Sequence, residues 1–332
     1  MLTGKRWPAH PHPLTDELLS SWLVRIAHAN GLKVQTFCHR EFGQNHQVWN
    51  RDIDRLAPDW LLTRLEESIG LSLDTVRATT LLPYRGRLYH QQPSSGQLRW
   101  VLPLQIYHRT RQGFGLQYCP HCLAEDAEPY FRRAWRVAFY TFCPKHNVML
   151  LDRCPACGSG VAFHRLELGH PQQISIDSLS VCAGCGFDLR QAATTTINIW
   201  DEHVFALWRQ ALRQTTGDPG IKTYIDLGHL DVLHHFCGLC VSRRLALKLH
   251  PYLCQQTGTP EVELTAGRLT FEQRPLHERH HVIGLAWWLL DLWPSRLQQA
   301  HRHRVVRYNV LMKDFDEPPE WYSQMASKLM HP

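Results

Sequence analysis

Eight residues between positions 119 and 185 come in pairs with two residues between partners: Cys119 and Cys122, Cys143 and His146, Cys154 and Cys157, Cys182 and Cys185. Thiolate sulfur and imidazole nitrogen are donors that zinc prefers, and a two-residue gap lets one tight turn aim two of them at a single ion. Each pair has a partner one loop or short hairpin further along the chain. The order of the pairs assigns Cys119, Cys122, Cys143 and His146 to one ion and Cys154, Cys157, Cys182 and Cys185 to a second, with an interleaved pairing left open. Disulfides or free core cysteines are the competing readings. Four protein ligands leave an ion no open position, so both predicted zinc ions are structural, whereas a catalytic ion keeps a place for water.

The residues around the donors predict turns rather than helices. Cys119-Pro120-His121-Cys122 and Cys143-Pro144-Lys145-His146 carry proline, and Cys154-Pro155-Ala156-Cys157-Gly158 and Cys182-Ala183-Gly184-Cys185-Gly186 end on glycine. Eleven cysteines, eight of the chain's residues showing metal-ligand spacing, suit a reducing compartment where thiolates meet metal instead of each other. Met1 to Leu14 has no apolar signal region, and the longest apolar run, Val282 to Trp293, is interrupted by Asp291. The expectation is a cytoplasmic protein with no membrane span.

The 332 residues have room for two or three domains, and 44% hydrophobic content is ordinary for a globular chain. The formal charge of +6 falls to about +3 once seven ligand thiolates and two divalent ions are included. Net charge therefore argues little for nucleic acid, and its distribution argues more. Between Pro83 and Gln117 stand Arg85, Arg87, Arg99, Arg109 and Arg111 with no acid, interleaved with Tyr84, Tyr89, Trp100, Tyr107 and Phe114. Between Leu292 and Met312 stand Arg296, Arg302, Arg304 and Arg307 with His301, His303 and Tyr308, again with no acid. Single-sign stripes with aromatics suit a phosphate backbone, and equally a solvated face or an acidic partner.

The elements that must position these residues read as mostly helical. Asp16 is the expected cap of an amphipathic helix whose apolar face is Leu18, Leu19, Trp22, Leu23 and Ile26, ended by Asn30-Gly31. A second helix is expected over 34–42, stopped by Gly43. From Pro58 to Thr80 a helix, a turn with Gly70 and a helix capped by Ser72 give the outline of a helix-turn-helix. If it reads DNA, Asp74, Thr75, Arg77 and Ala78 lie where such helices meet base edges; a plain antiparallel helix pair has the same outline. After Trp200 come helical faces of Val204, Phe205, Leu207, Trp208 and Leu212, and of Leu230, Leu233, Phe236, Cys237 and Cys240. Val282 to Leu292 is apolar nearly all round and is expected to be a buried central helix, stopped by Pro294. Cys237-x-x-Cys240 with His250 and Cys254 could be written as a third metal site, but the unbroken helical pattern favours buried cysteines. His280 and His281 beside Arg279 resemble a nuclease fragment only superficially.

Three segments together resemble the TniQ/TnsD family of transposition targeting proteins. They are Pro11-His12-Pro13-Leu14-Thr15-Asp16-Glu17-Leu18-Leu19-Ser20-Ser21-Trp22-Leu23, the block from Tyr118-Cys119-Pro120-His121-Cys122-Leu123 through Trp135 to Phe142-Cys143-Pro144-Lys145-His146-Asn147, and the second pair of knuckles from Cys154. The resemblance covers about residues 8 to 190. It implies a non-enzymatic adaptor that tells a transposase where to insert, working with an AAA+ transposition ATPase. Some family members read an attachment site in DNA, and others resemble docking subunits, often dimeric, that ride on a CRISPR RNA-guided effector complex. The short remainder after the zinc modules favours docking.

No Gly-x-x-x-x-Gly-Lys loop, Gly-x-Ser-x-Gly elbow or assignable acidic cluster supports an enzyme. The expected architecture is mainly α: an N-terminal helical domain with a helix-turn-helix-like element (1–117), tandem zinc-binding modules (118–192) and a C-terminal helical domain (193–332). The expected function is target selection for a Tn-type transposition system, with the ATPase, the transposase complex, and DNA or an RNA-guided effector as partners, and with a homodimer as the assembly. A zinc-containing helix-turn-helix transcription regulator is the alternative. Expected contacts to nucleic acid or a partner are Arg77, Arg85, Arg87, Arg99, Arg109, Arg111, Arg296, Arg302, Arg304 and Arg307.

Overall fold

The computed structural model describes residues 6–104, 114–168, 178–215, 225–242 and 248–330, and these are mainly helical. They fall into two units, one of residues 1–86 and 91–196, the other of residues 87–90 and 197–332.

The first unit is built on α1 (Leu19–Ala29), which packs against α2 (Val34–Phe42) and α3 (Ile53–Leu56). The amphipathic reading of α1 needs correction, because every residue from Leu19 to Ala27 is buried. Its polar residues can be buried because each finds a partner. Ser20 donates through its backbone N and its Oγ to Asp54 at 2.8 and 2.9 Å. Ser21 Oγ donates to Glu17 at 3.0 Å, and Arg25 bridges Glu17 at 2.7 Å and Glu128 at 2.8 Å. Asp16 does not cap this helix; Leu18 holds the cap position. Asp16 has φ 58°, and its carboxylate accepts from Arg133 Nε and the Ala134 amide instead. The end at Gly31 (φ 69°) and the stop of α2 at Gly43 (φ 77°) fall where glycine supplies a left-handed backbone.

Two further helices, α4 (Asp59–Leu65) and α5 (Leu73–Arg77), meet through a widened turn over 66–70 that ends on Gly70. Ser72 Oγ accepts from the Thr75 amide at 3.2 Å, so the N-cap read from the sequence is present. Arg136 is wholly buried and holds Asp52 at 2.6 Å, Asp54 at 3.2 Å and the Leu102 carbonyl at 3.0 Å. Through it, α3 is tied to the segment that enters the metal-ligand region.

The second unit centres on α10 (Leu276–Leu290), which packs against α7 (Glu202–Thr215), α8 (Leu227–Val241), α9 (Leu249–Thr257) and α11 (Ser295–Arg302). Val282 to Leu290 is buried throughout, as an all-round apolar helix must be. This helix starts earlier than expected and ends at Leu290. Asp291 leaves the helical conformation to pair with His203 at 3.1 Å and Arg296 at 2.9 Å, and Leu292, at φ 54°, is exposed. Gly284 lets the Trp200 ring come close, since a Cβ there would lie 3.3 Å from it. Cys237 and Cys240 are wholly buried within α8. Short helices α12 (Tyr308–Leu311) and α13 (Glu320–Ser327) complete the unit.

Candidate metal centres and basic surfaces

The donors Cys119, Cys122, Cys143 and His146 converge in the first unit, and Cys154, Cys157, Cys182 and Cys185 form a second cluster there; within each, all ligand atoms lie within 4.8 Å of one another. The grouping is the sequential one, not the interleaved one.

In the first cluster the two half-sites are built differently. Cys143 ends strand β1 (Phe142–Cys143), which pairs antiparallel with β2 (Val148–Met149), so the Cys143/His146 pair lies on the hairpin turn. That turn closes through the Asn147 amide donating to Cys143 O at 2.8 Å, with Asn147 at φ 54°. The Cys119/Cys122 pair, expected as a turn, opens helix α6 (Pro120–Glu125), with Cys119 at the cap position and Pro120 in the first helical position. Proline favours that position because its missing N–H would have no partner there, so the residue read as a turn former instead starts a helix.

The separations match a tetrahedral ion. Cys122 and Cys143 sulfurs are 3.6 Å apart, and Cys119, Cys122 and Cys143 each stand 3.4 Å from His146 Nδ1. Zinc bond lengths arranged tetrahedrally give edges of about 3.8 Å between sulfurs and about 3.5 Å between sulfur and nitrogen. A disulfide would need about 2.05 Å. His146 turns its other nitrogen to Glu125 Oε1 at 3.0 Å. A carboxylate behind a ligating imidazole fixes its tautomer and orientation. Nothing in the cysteine spacing pointed to Glu125; it is reached because α6 carries it back over the hairpin turn. Crowding of the thiols separates them. Hydrogen bonds from Cys119 and Cys122 hold the Cys143 thiol far below the usual range, whereas bonding to Cys119 and Cys143 pushes Cys122 far up. A divalent cation would remove that conflict by letting all three ionise.

The second cluster is a pair of like turns. Gly158 N donates to Cys154 O and Gly186 N to Cys182 O, each at 2.9 Å; Cys154 N donates to Ser159 O and Cys182 N to Phe187 O, each at 2.8 Å. Gly158 (φ 73°) and Gly186 (φ 76°) occupy the same left-handed position after the second cysteine of each turn. Cross-turn sulfur separations are 3.7 Å for Cys154–Cys185 and for Cys157–Cys182, again close to a tetrahedral edge. Ser159 hydrogen bonds lower the Cys157 thiol to about 6. Both donor sets, three sulfurs with one nitrogen and four sulfurs, could each hold a metal ion.

Among the expected contact arginines, Arg85 and Arg87 are exposed, Arg77 and Arg99 are half-buried, and Arg109 and Arg111 lie outside the described residues. The interleaved Tyr84, Tyr89 and Trp100 are core residues, so they offer no stacking platform for bases. Arg296 is engaged by Asp291, by the Trp288 carbonyl at 2.7 Å and by the Trp288 ring at 4.3 Å. Arg302, Arg304 and Arg307 are exposed and, with His301, Tyr308 and Asn309, line an open cleft of about 740 Å³ in the second unit. Among the described residues no acidic side chain forms an ion pair with these three arginines.

Residues 8–150 match the TniQ family model. That span takes in α1 to α6, the hairpin and all four donors of the first cluster, and it ends before the second. No curated protein matches the chain.

Proposed function

From the chain's membership of the TniQ family, which residues 8–150 carry, we propose that it is a target-selection adaptor of a Tn-type DNA transposition system, linking a target-recognition event to an AAA+ transposition ATPase. The family is one of non-catalytic, transposition-associated targeting proteins. The observation that carries the proposal is the match itself, which spans the N-terminal helices together with one complete set of four metal donors.

Two structural zinc ions then belong to the working protein, one on Cys119, Cys122, Cys143 and His146, the other on Cys154, Cys157, Cys182 and Cys185. Their role is to stiffen segments too small to build a core: β1 and β2 are two residues each. On this reading residues 118–192 form metal modules between N-terminal (1–117) and C-terminal (193–332) helical parts, in a cytoplasmic homodimer. No helix among the described residues is long and apolar enough to cross a membrane. The open cleft with Arg302, Arg304 and Arg307 is the surface offered to a phosphate backbone, with sequence supplied by a partner such as an RNA-guided effector.

The helix-turn-helix regulator stands second. It is supported by the Ser72 cap, but α5 has five residues and rises only about 7.5 Å, short against a major groove about 12 Å wide.

Deleting the gene for this chain from its mobile element and mapping insertions tests the adaptor role. Insertions are expected to vanish or scatter, while insertion at an unchanged site and frequency would refute it. Replacing Arg302, Arg304 and Arg307 by Gln is expected to reduce the salt slope of DNA binding by up to about 2.7, if each contacts one phosphate.

A further inference from the structure

The second unit holds a third cluster of donors that the two zinc modules do not use. His250 and Cys254 stand four residues apart on α9, one turn apart on the same face. His281 belongs to α10, which packs against α9. His250 Nε2 and His281 Nε2 are 2.8 Å apart, Cys254 Sγ is 3.5 Å from His281 Nε2, and the three atoms all lie within 4.8 Å of one another.

We propose that His250, Cys254 and His281 form a third site for a divalent cation of the zinc class, with three protein donors and a fourth position open to water. The donor chemistry is that of zinc, two imidazole nitrogens and one thiolate. The sulfur–nitrogen separation equals the tetrahedral edge of about 3.5 Å, and the nitrogen–nitrogen separation is somewhat below the edge of about 3.3 Å. Two Nε2 atoms facing each other must share either a proton or a cation, since two lone pairs repel. The surroundings favour the cation. A soft sulfur donor, Cys254 Sγ, points at the same spot.

The neighbouring candidates fall away. Cys237 and Cys240 lie on α8 outside this group, and His280 faces the Trp208 ring at 5.0 Å. With three protein donors the ion is held less tightly than in the four-donor clusters and exchanges faster. Its binding ties α9 to α10 and makes the second unit's stability depend on free zinc, independently of the targeting role.

The test is metal content of the full-length chain at equilibrium with saturating free zinc. The site predicts about three equivalents, falling to about two in Cys254→Ser and in His281→Gln, with unchanged helical content by circular dichroism. Adding one equivalent of Co²⁺ to the chain carrying two zinc ions should give a charge-transfer band of one-thiolate intensity, absent from Cys254→Ser. This second readout uses the wild-type chain and stands even if a variant misfolds. Two equivalents in the zinc-saturated wild type, or no cobalt band, would overturn the site and leave an Nε2–H···Nε2 hydrogen bond in its place.

Discussion

Replacing Arg136 by Met removes a buried cation from two carboxylates while keeping much of its volume. Arg136 has no exposed surface and pairs with Asp52 at 2.6 Å and Asp54 at 3.2 Å; the Asp54 side chain is 2% exposed. Breaking a buried pair by removing one partner costs about 3–5 kcal/mol, because the remaining charge is left unpaired. Burial already raises Asp54 to about 6, with Arg136 opposing the rise. Losing Arg136 lifts it further. A carboxyl whose native pKa lies above its unfolded value favours folding while protonated, and that contribution is lost as pH rises through the native pKa. In the variant this loss extends to higher pH than in the wild type. The destabilisation is therefore larger at pH 8 than at pH 6, shrinking as the pH falls by at most about 1.4 kcal/mol per unit for this one carboxyl. Urea unfolding of the zinc-loaded chain at pH 6, 7 and 8 measures it, with Arg136→Met/Asp54→Asn expected to recover part of the loss. A destabilisation under about 1 kcal/mol at pH 8, or one that does not change with pH, would refute the reasoning.

Two other perturbations address the metal modules. Cys143→Ser should lose one equivalent of zinc and expose the segment around 142–149 to protease, because the hairpin has only two paired residues on each strand; retained metal and unchanged cleavage would contradict a structural ion there. Gly186→Ala meets no atom within 4 Å of the added Cβ but forces a side chain onto φ 76°, at about 1–2 kcal/mol. Its urea midpoint should fall with zinc content unchanged, and an unshifted midpoint would show that the turn does not require glycine.

Features enforced by local chemistry were the ones legible in the sequence. A two-residue gap marks donors that converge on one ion, so the eight residues could be read as four pairs with an interleaved arrangement left open, and the structure gathers them sequentially. The stop of α2 at Gly43, the Ser72 cap and the buried run in α10 rest on backbone sterics and periodicity within one segment. The burial of α1 was not legible. It depends on Asp54, 34 residues beyond Ser20, and on Glu128, 103 residues beyond Arg25, and neither partner leaves a trace in the helix's own pattern. The same limit explains Asp16, whose partners Arg133 and Ala134 come from a distant part of the chain.

The third cluster shows how a short-range rule can point at the wrong cysteines. Cys237-x-x-Cys240 has the familiar spacing, yet on a continuous helix residues three apart stay on a buried face with no turn to aim both sulfurs at one ion, and both are wholly buried in α8. His250 and Cys254 have the spacing a helix does allow, four residues on one face, and their partner is supplied by α10 packing alongside α9. Inside a helix, then, an interval of three or four only places two donors on one face, and a third donor must come from a neighbouring element whose position no local pattern gives. Cys254 and His281, with 3.5 Å between their donor atoms, are joined by helix packing, which became visible only when the two helices were placed.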